Sequence, residues 1–454
     1  MSEPYSEQLP PFVPRVAVKL DNAKQLPEYA DQAEDLLSDQ DRKRWDELLQ
    51  RFPGITLERQ FTSLTPGQLL ELMRKAASAQ PGVKPPNLLT HYAIQCRNFD
   101  PAFLVKELRA WDLFEAVYDE GPPVAPPAVT LNDPRRTLQG YVRPAPTTAN
   151  ALYGGVNALY AWANIDPGGA GETLQFIDIE QGWQLGHEDL PSPAMPLDGD
   201  NHWYFDHGTS ALGVVSAVDN SVGIIGIACN ASARVVSEWR LPTDTNRKTA
   251  DAITLAANLL QPGDVLLLES QYEPSPKSRQ PSEVQRAVYD AIRTATDNGI
   301  VVIEPAANGG VDLGQIVVIE NQRWMRVLNP EDADFRDSGA IIVGAASSRT
   351  RKRRVESNFG TRVDCFAWGD NVDTLLASST SAYTDSIPKF SGTSSAAAIV
   401  AGVALIVQSA TVHLSGNRLN PSELRALLST KGTPSQNPTV DLIGIMPDLL
   451  KLLT

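Results

Sequence analysis

Cysteine, histidine and positive charge are all scarce in this chain. Cys96, Cys229 and Cys365 are odd in number, far apart and lack a Cys-x-x-Cys pair, which argues against a disulfide framework or a structural zinc site. Against 54 acidic side chains stand 39 basic ones, a formal charge of −15 over 454 residues. Nucleic acid is therefore not an expected partner, because phosphate-backbone binding needs a basic surface. No apolar run reaches the ~18 residues of a membrane span. The longest, 396–407, reads as a buried helix, and no membrane partner is expected. The opening residues, Met1-Ser-Glu-Pro-Tyr-Ser-Glu, lack a basic segment followed by an apolar one. The expectation is a cytoplasmic protein, or one secreted without a conventional signal peptide.

What the chain does have is enough apolar content for a large core, with 42% hydrophobic and 20% charged residues. A proline-rich stretch, 121–127, reads as a linker. Before it, strand-like segments at 15–20, 55–61 and 114–118 interleave with helical ones. The latter are 29–50, a helix opened by Thr65-Pro66, and another opened by Asp100-Pro101. This predicts a small α+β domain over 1–125, then a linker and entry segment over 126–150. From 151 to 454 short apolar strands (173–177, 234–237, 265–268, 300–303, 340–343) alternate with amphipathic helices (249–260, 283–297). That rhythm predicts an α/β domain, a mainly parallel twisted sheet with helices on both faces.

Open α/β sheets place their working residues at the carboxyl ends of strands. There the chain offers Asp178 at the end of Leu174-Gln-Phe-Ile-Asp178, His207 in Asp206-His-Gly-Thr-Ser210, and Ser394 in Phe390-Ser-Gly-Thr-Ser-Ser-Ala396. A serine hydroxyl becomes a nucleophile when an imidazole takes its proton, and the imidazole needs a carboxylate to fix its tautomer. Asp, His, Ser is one of the chain orders in which that triad occurs. Glu180, two residues past Asp178, is read as a loop residue held by a backbone N–H. A second carboxylate tuning the site is the alternative.

Four motifs in register resemble those of subtilisin-like serine peptidases, the subtilase superfamily (peptidase family S8). They are Gly392-Thr-Ser394-Ser-Ala396, His207-Gly-Thr209 with Val222-Gly-Ile-Ile-Gly-Ile-Ala228, Ile177-Asp178 with His187-Glu-Asp-Leu190, and Pro305-Ala-Ala-Asn-Gly-Gly310. The family follows its aspartate with Ser or Thr and then Gly. Here the text is Asp178-Ile-Glu-Gln-Gly182-Trp, similar to a subset with an Asp-Ile-Glu-x-Gly-Trp pattern. The serine motif also lacks the usual Ser-Pro-His, reading Ala397-Ala-Ile399.

The resemblance implies a serine endopeptidase acting on polypeptides, with Asp178, His207 and Ser394 catalytic and Asn308 holding the oxyanion. Ser270, Gln271, Tyr272, Ala306 and Ala307 would form the substrate wall, the Ala307 methyl narrowing the specificity pocket. It further implies that residues 1–125 are a ferredoxin-like propeptide, which restrains a zymogen and is cut off near the linker. An inhibitory protein is the second candidate restraint. No cofactor is required. Calcium is common in the family, but no loop here has a ligand set specific enough to assign one.

Two other readings compete. One is a catalytically silent relative used as a binding module, against which stands the presence of all three triad residues and the asparagine. The other is a metal hydrolase built on His187, Glu188, Asp189, His202, Asp206 and His207, against which stands the absence of His-Glu-x-x-His spacing. No Gly-x-Ser-x-Gly motif supports an α/β-hydrolase.

Overall fold

The computed structural model describes residues 13–62, 65–79, 87–119, 133–145, 154–191, 195–244, 246–274, 278–320, 323–377 and 390–454. The expected linker, 121–127, lies outside the described residues. The chain divides into two compact units, Met1–Ala128 and Val129–Thr454. The segment assigned from sequence to a linker and entry thus falls mostly with the second unit.

The first unit runs β1 (Arg15–Leu20), α1 (Asp39–Arg51), β2 (Glu58–Arg59), α2 (Pro66–Ala79), β3 (His91–Gln95), α3 (Pro101–Arg109) and β4 (Phe114–Asp119). The sheet order is β2-β3-β1-β4, every pair antiparallel. Val16, Val18 and Leu20 share one face by strand alternation. They join Trp45 and Leu48 of α1 and Leu104, Val105 and Leu108 of α3 in one core. The helix expected over 29–50 is broken, because Ser38 caps a new start by accepting the Asp41 N–H at 3.2 Å. Asp100 caps α3 as its Asp-Pro signal predicts.

The second unit carries a nine-stranded sheet. Its chain order is α4 (Ala158–Asn164), β5 (Gln175–Glu180), β6 (Leu197–Asp198), α5 (Phe205–Ser216), β7 (Ser232–Ser237), α6 (Thr249–Leu259) and β8 (Val265–Leu268). There follow β9 (Gln271–Tyr272), β10 (Gln280–Pro281), α7 (Arg286–Asp297), β11 (Val301–Pro305), β12 (Val318–Glu320), β13 (Arg323–Met325), β14 (Ile341–Ala346) and β15 (Cys365–Trp368). The last are α8 (Gly392–Ser415), α9 (Pro421–Thr430), β16 (Gly432–Pro434) and β17 (Ile445–Pro447). The sheet order is β16-β17-β15-β14-β11-β8-β5-β7-β6, parallel except for β16 against β17. Two-residue and three-residue strands pair off separately as β9–β10 and β12–β13.

Burial on both faces explains why β8 and β14 are apolar without alternation. One face packs on α5 and α8, the other on α6 and α7. By length and composition α8 could cross a membrane, but 89% of its most apolar window is buried in the unit, as a core helix should be. The three cysteines are free and buried.

Strand order places the site. From β5 the chain moves to β6 and β7 on one side, then returns to β8 on the other. The crevice beyond the carboxyl ends of β5 and β8 is the switch point where ligands bind in open α/β sheets.

Candidate active site

The strand expected to end at Asp178 runs on to Glu180, which still pairs with Ser237 of β7. Along β5, Ile177 and Ile179 face α6 and α7, while Phe176 faces α5 and α8. The two-residue period therefore aims both Asp178 and Glu180 at α5, with Glu180 nearer the open end.

His207 lies in the first turn of α5. Its Nδ1 is 2.5 Å from Glu180 Oε1, the Glu180 side chain being 4% exposed and the His207 side chain 37%. Phe390 packs edge-to-face on the imidazole at 5.2 Å. A carboxylate at Nδ1 keeps the ring proton there, so Nε2 is left as the basic nitrogen.

Asp178, the carboxylate expected to orient that ring, is bonded elsewhere. Its Oδ2 accepts the Trp183 indole N–H at 2.7 Å, and its Oδ1 has no hydrogen-bond partner. The structure thus corrects the expectation: Glu180, not Asp178, contacts His207, because the strand extends one pleat further. Burial, then Glu180, pushes the Asp178 carboxyl well above the usual range, against the Trp183 bond. Glu180 is also raised, by burial and by Glu238, while the Gln181 N–H and Arg247 act in the opposite direction. Glu238 is itself satisfied, accepting from Thr249, Ser270 and Arg247.

Ser394 is the third residue of α8. Asn308 sits just past β11, after Ala307 in the left-handed region at φ +67°. Its Oδ1 accepts the Thr393 N–H at 2.9 Å and the Thr393 hydroxyl at 3.2 Å, latching it to the first turn of α8. Gly392, at φ +85°, permits that approach, since a Cβ there would lie 2.9 Å from Asn308 Oδ1. Asn308 Nδ2 is 3.5 Å from Gln271 Oε1.

A cleft of ≈ 630 Å³ is lined by Glu180, His207, Glu269, Asn308 and Ser394, with Trp203, Tyr204 and Trp239 forming an aromatic wall. Ser270 and Gln271 line it as expected for the substrate wall. Tyr272, one residue along β9, is not among the described lining residues and packs against the core. Ala306 and Ala307 are fully buried and lie behind Pro305 and Asn308, which do line the cleft. The expected narrowing by the Ala307 methyl therefore has no counterpart in the cleft lining. Of the proposed metal-ligand stretch, the His187 ring accepts the Asp189 N–H, and His202 binds Asp200 and stacks on Trp239.

Sequence reasoning missed two residues here, Glu180 as the partner of His207 and Glu269. The signals were present. Gly182 follows Glu180, not Asp178, by the two residues of a carboxylate-x-Gly pattern. Alternation from Val265 and Leu267 puts Glu269 on the same sheet face as Glu180.

A doubly covered parallel sheet with serine, histidine and carboxylate at its switch point defines a subtilisin-like α/β protein. Residues 192–443, more than half the chain, match the profile of the Subtilase family, Peptidase_S8. The chain belongs to that family. It is 26% identical over 272 residues to the alkaline protease of Alkalihalobacillus alcalophilus, covering 58% of this chain and 61% of that one. To the major intracellular serine protease of Bacillus subtilis it is 25% identical over 300 residues, covering 63% and 84%. A solved protease from Pseudoalteromonas arctica aligns at 20% identity and TM-score 0.49, over 71% of this chain and 98% of that one. The chain thus spans about three-fifths of the length of the alkaline proteases it matches.

Proposed function

We propose that the protein is a serine endopeptidase in which Ser394 is the nucleophile, His207 the general base and Glu180 the carboxylate that orients the base. The observation that carries this reading is the Glu180–His207 contact at 2.5 Å, on the same cleft as Ser394 and Asn308. Ser394 Oγ attacks the scissile carbonyl as its proton passes to His207 Nε2. The imidazolium is stabilised at Nδ1 by Glu180. Asn308 Nδ2 and the Ser394 N–H receive the oxyanion; loss of one such donor costs ~10²–10³ in turnover. Collapse breaks the C–N bond, His207 protonates the leaving amine, and water then hydrolyses the acyl-enzyme. This chemistry needs no metal or organic cofactor, and polypeptides are its substrates.

The first unit is read as a propeptide that restrains the second and is removed by self-cleavage between the units. Its support is the strand order β2-β3-β1-β4 with antiparallel pairing throughout, the order of a ferredoxin-like sandwich.

The test is incubation of the full chain with a fluorophosphonate, followed by peptide mass spectrometry. An adduct on Ser394 that is absent from Ser394→Ala, together with cleavage of a casein substrate, is the expected result. A chain that neither reacts nor cleaves after removal of residues 1–128 would establish a silent binding module instead. Constant mass during a long incubation of an active chain would refute self-processing.

A further inference from the structure

Glu269 follows β8 directly, at the crevice between β5 and β8. It is 7% exposed, and neither carboxyl oxygen has a hydrogen bond of normal geometry. One side-chain donor atom from each of Glu180, His207 and Glu269 lies within 4.8 Å of the other two. The carboxyl lines the same cleft as Ser394, whose hydroxyl is close enough to favour its charged form. The mechanism proposed for Ser394, His207 and Glu180 makes no use of this group. An unused buried carboxyl at the nucleophile is costly unless it carries a proton or does chemistry.

We propose that Glu269 is a further catalytic residue, a carboxylic acid beside Ser394 that works in its neutral form. The inference rests on the peptidase reading above. Glu180 and Glu269 line one cleft, Asp178 is buried close enough to act on Glu269, and like charges in low dielectric do not all ionise. Glu180 has His207 to pair with. Glu269 faces Asp178 and Glu180 of β5, His207 of α5 and Ser394 of α8, and His207 is the one side chain among them able to take up a positive charge. The arginines of the cleft are committed elsewhere, Arg247 to Glu238 and Arg279 to Glu273. Burial first, with Glu180 and Asp178, raises the Glu269 carboxyl well above its ordinary range, against His207 and Ser394.

The two protonation states differ in chemistry. The neutral acid donates its own O–H to Ser394 Oγ, which leaves the serine proton free for His207, and it keeps its own proton throughout the cycle. The Ser394 proton goes to His207 Nε2 and then to the leaving amine. Ionised, Glu269 has no proton to donate and instead accepts the Ser394 O–H, which turns that proton away from His207 Nε2. Rate should therefore fall as Glu269 deprotonates, tenfold per pH unit above its ionisation.

The experiment is the pH profile, from about 5 to 10, of casein-peptide kcat/KM and of fluorophosphonate labelling of Ser394. Wild type, Glu269→Gln and Glu269→Ala are compared in the full chain, with circular dichroism to establish folding. Wild type should show an alkaline fall in both readouts. Glu269→Gln, permanently neutral, should lower kcat about tenfold but lose that alkaline limb. Glu269→Ala should lose ~10²-fold in kcat with the limb also gone. Parallel profiles for wild type and Glu269→Gln would overturn the inference while leaving the peptidase reading intact. Absence of labelling in wild type at every pH, both in the full chain and after removal of residues 1–128, would overturn both.

Discussion

Replacing Glu180 by glutamine removes one charge and almost no volume, so it isolates what the carboxylate does for His207. The contact is 2.5 Å and the Glu180 side chain is 4% exposed, so water does not replace the lost partner. At ~3 Å and an effective dielectric constant of about 20, an imidazolium–carboxylate pair is worth about 5 kcal/mol. At 1.36 kcal/mol per decade of rate, that is ~10⁴ in kcat/KM. Substitution of the orienting carboxylate in a serine triad costs about the same factor. Asp178→Asn is the control. Its carboxyl is bound to Trp183 and lies outside the contact with His207, so kcat/KM should stay within about threefold. Progress curves on a chromogenic peptide at neutral pH, normalised by fluorophosphonate titration of active sites, measure both variants. A loss in Asp178→Asn equal to that in Glu180→Gln would refute the assignment of Glu180.

Three further outcomes follow from paired carboxyl groups. Trp183→Phe leaves the Asp178 carboxyl with no donor and should cost about 1–3 kcal/mol by urea unfolding, part of it recovered in Asp178→Leu/Trp183→Phe. Arg362, 1% exposed, binds Glu283 at 3.1 Å and Asp364 at 3.0 Å; Arg362→Met should cost about 3–5 kcal/mol, seen as a lower urea midpoint at constant slope. Although burial opposes it, Arg425 and Arg362 hold the Asp337 carboxyl below its ordinary value. That contribution is complete above the unfolded pKa near ~4 and is lost as pH falls through the lower folded value. Tm between about pH 2 and 5 should drop less steeply in Arg425→Ala than in wild type.

Periodicity and local chemistry made much of the fold legible. Buried parallel strands are apolar without alternation and helices carry a 3.6-residue stripe, so the α/β rhythm after residue 151 is written in the sequence. Asp100-Pro101 and Thr65-Pro66 announce helix starts because capping is local. Ser394, His207 and Asn308 were legible because each lies in a short motif at an element end. Strand ends are not local. Whether β5 stops at Asp178 or Glu180 depends on the pairing of Glu180 with Ser237 of β7, and that one pleat decides which carboxylate meets the imidazole. Glu269 is far in sequence from both Glu180 and Ser394. Only the return of the chain from β7 to β8, across β5, brings the three to one crevice. The burial of Ala306 and Ala307 was likewise decided by packing around them, which no motif records. The sequence by itself determined the layers and the motifs that carry Ser394, His207 and Asn308, because those rest on local pattern. Tertiary structure decided which carboxyl groups lie beside His207 and Ser394, because that rests on register and strand order.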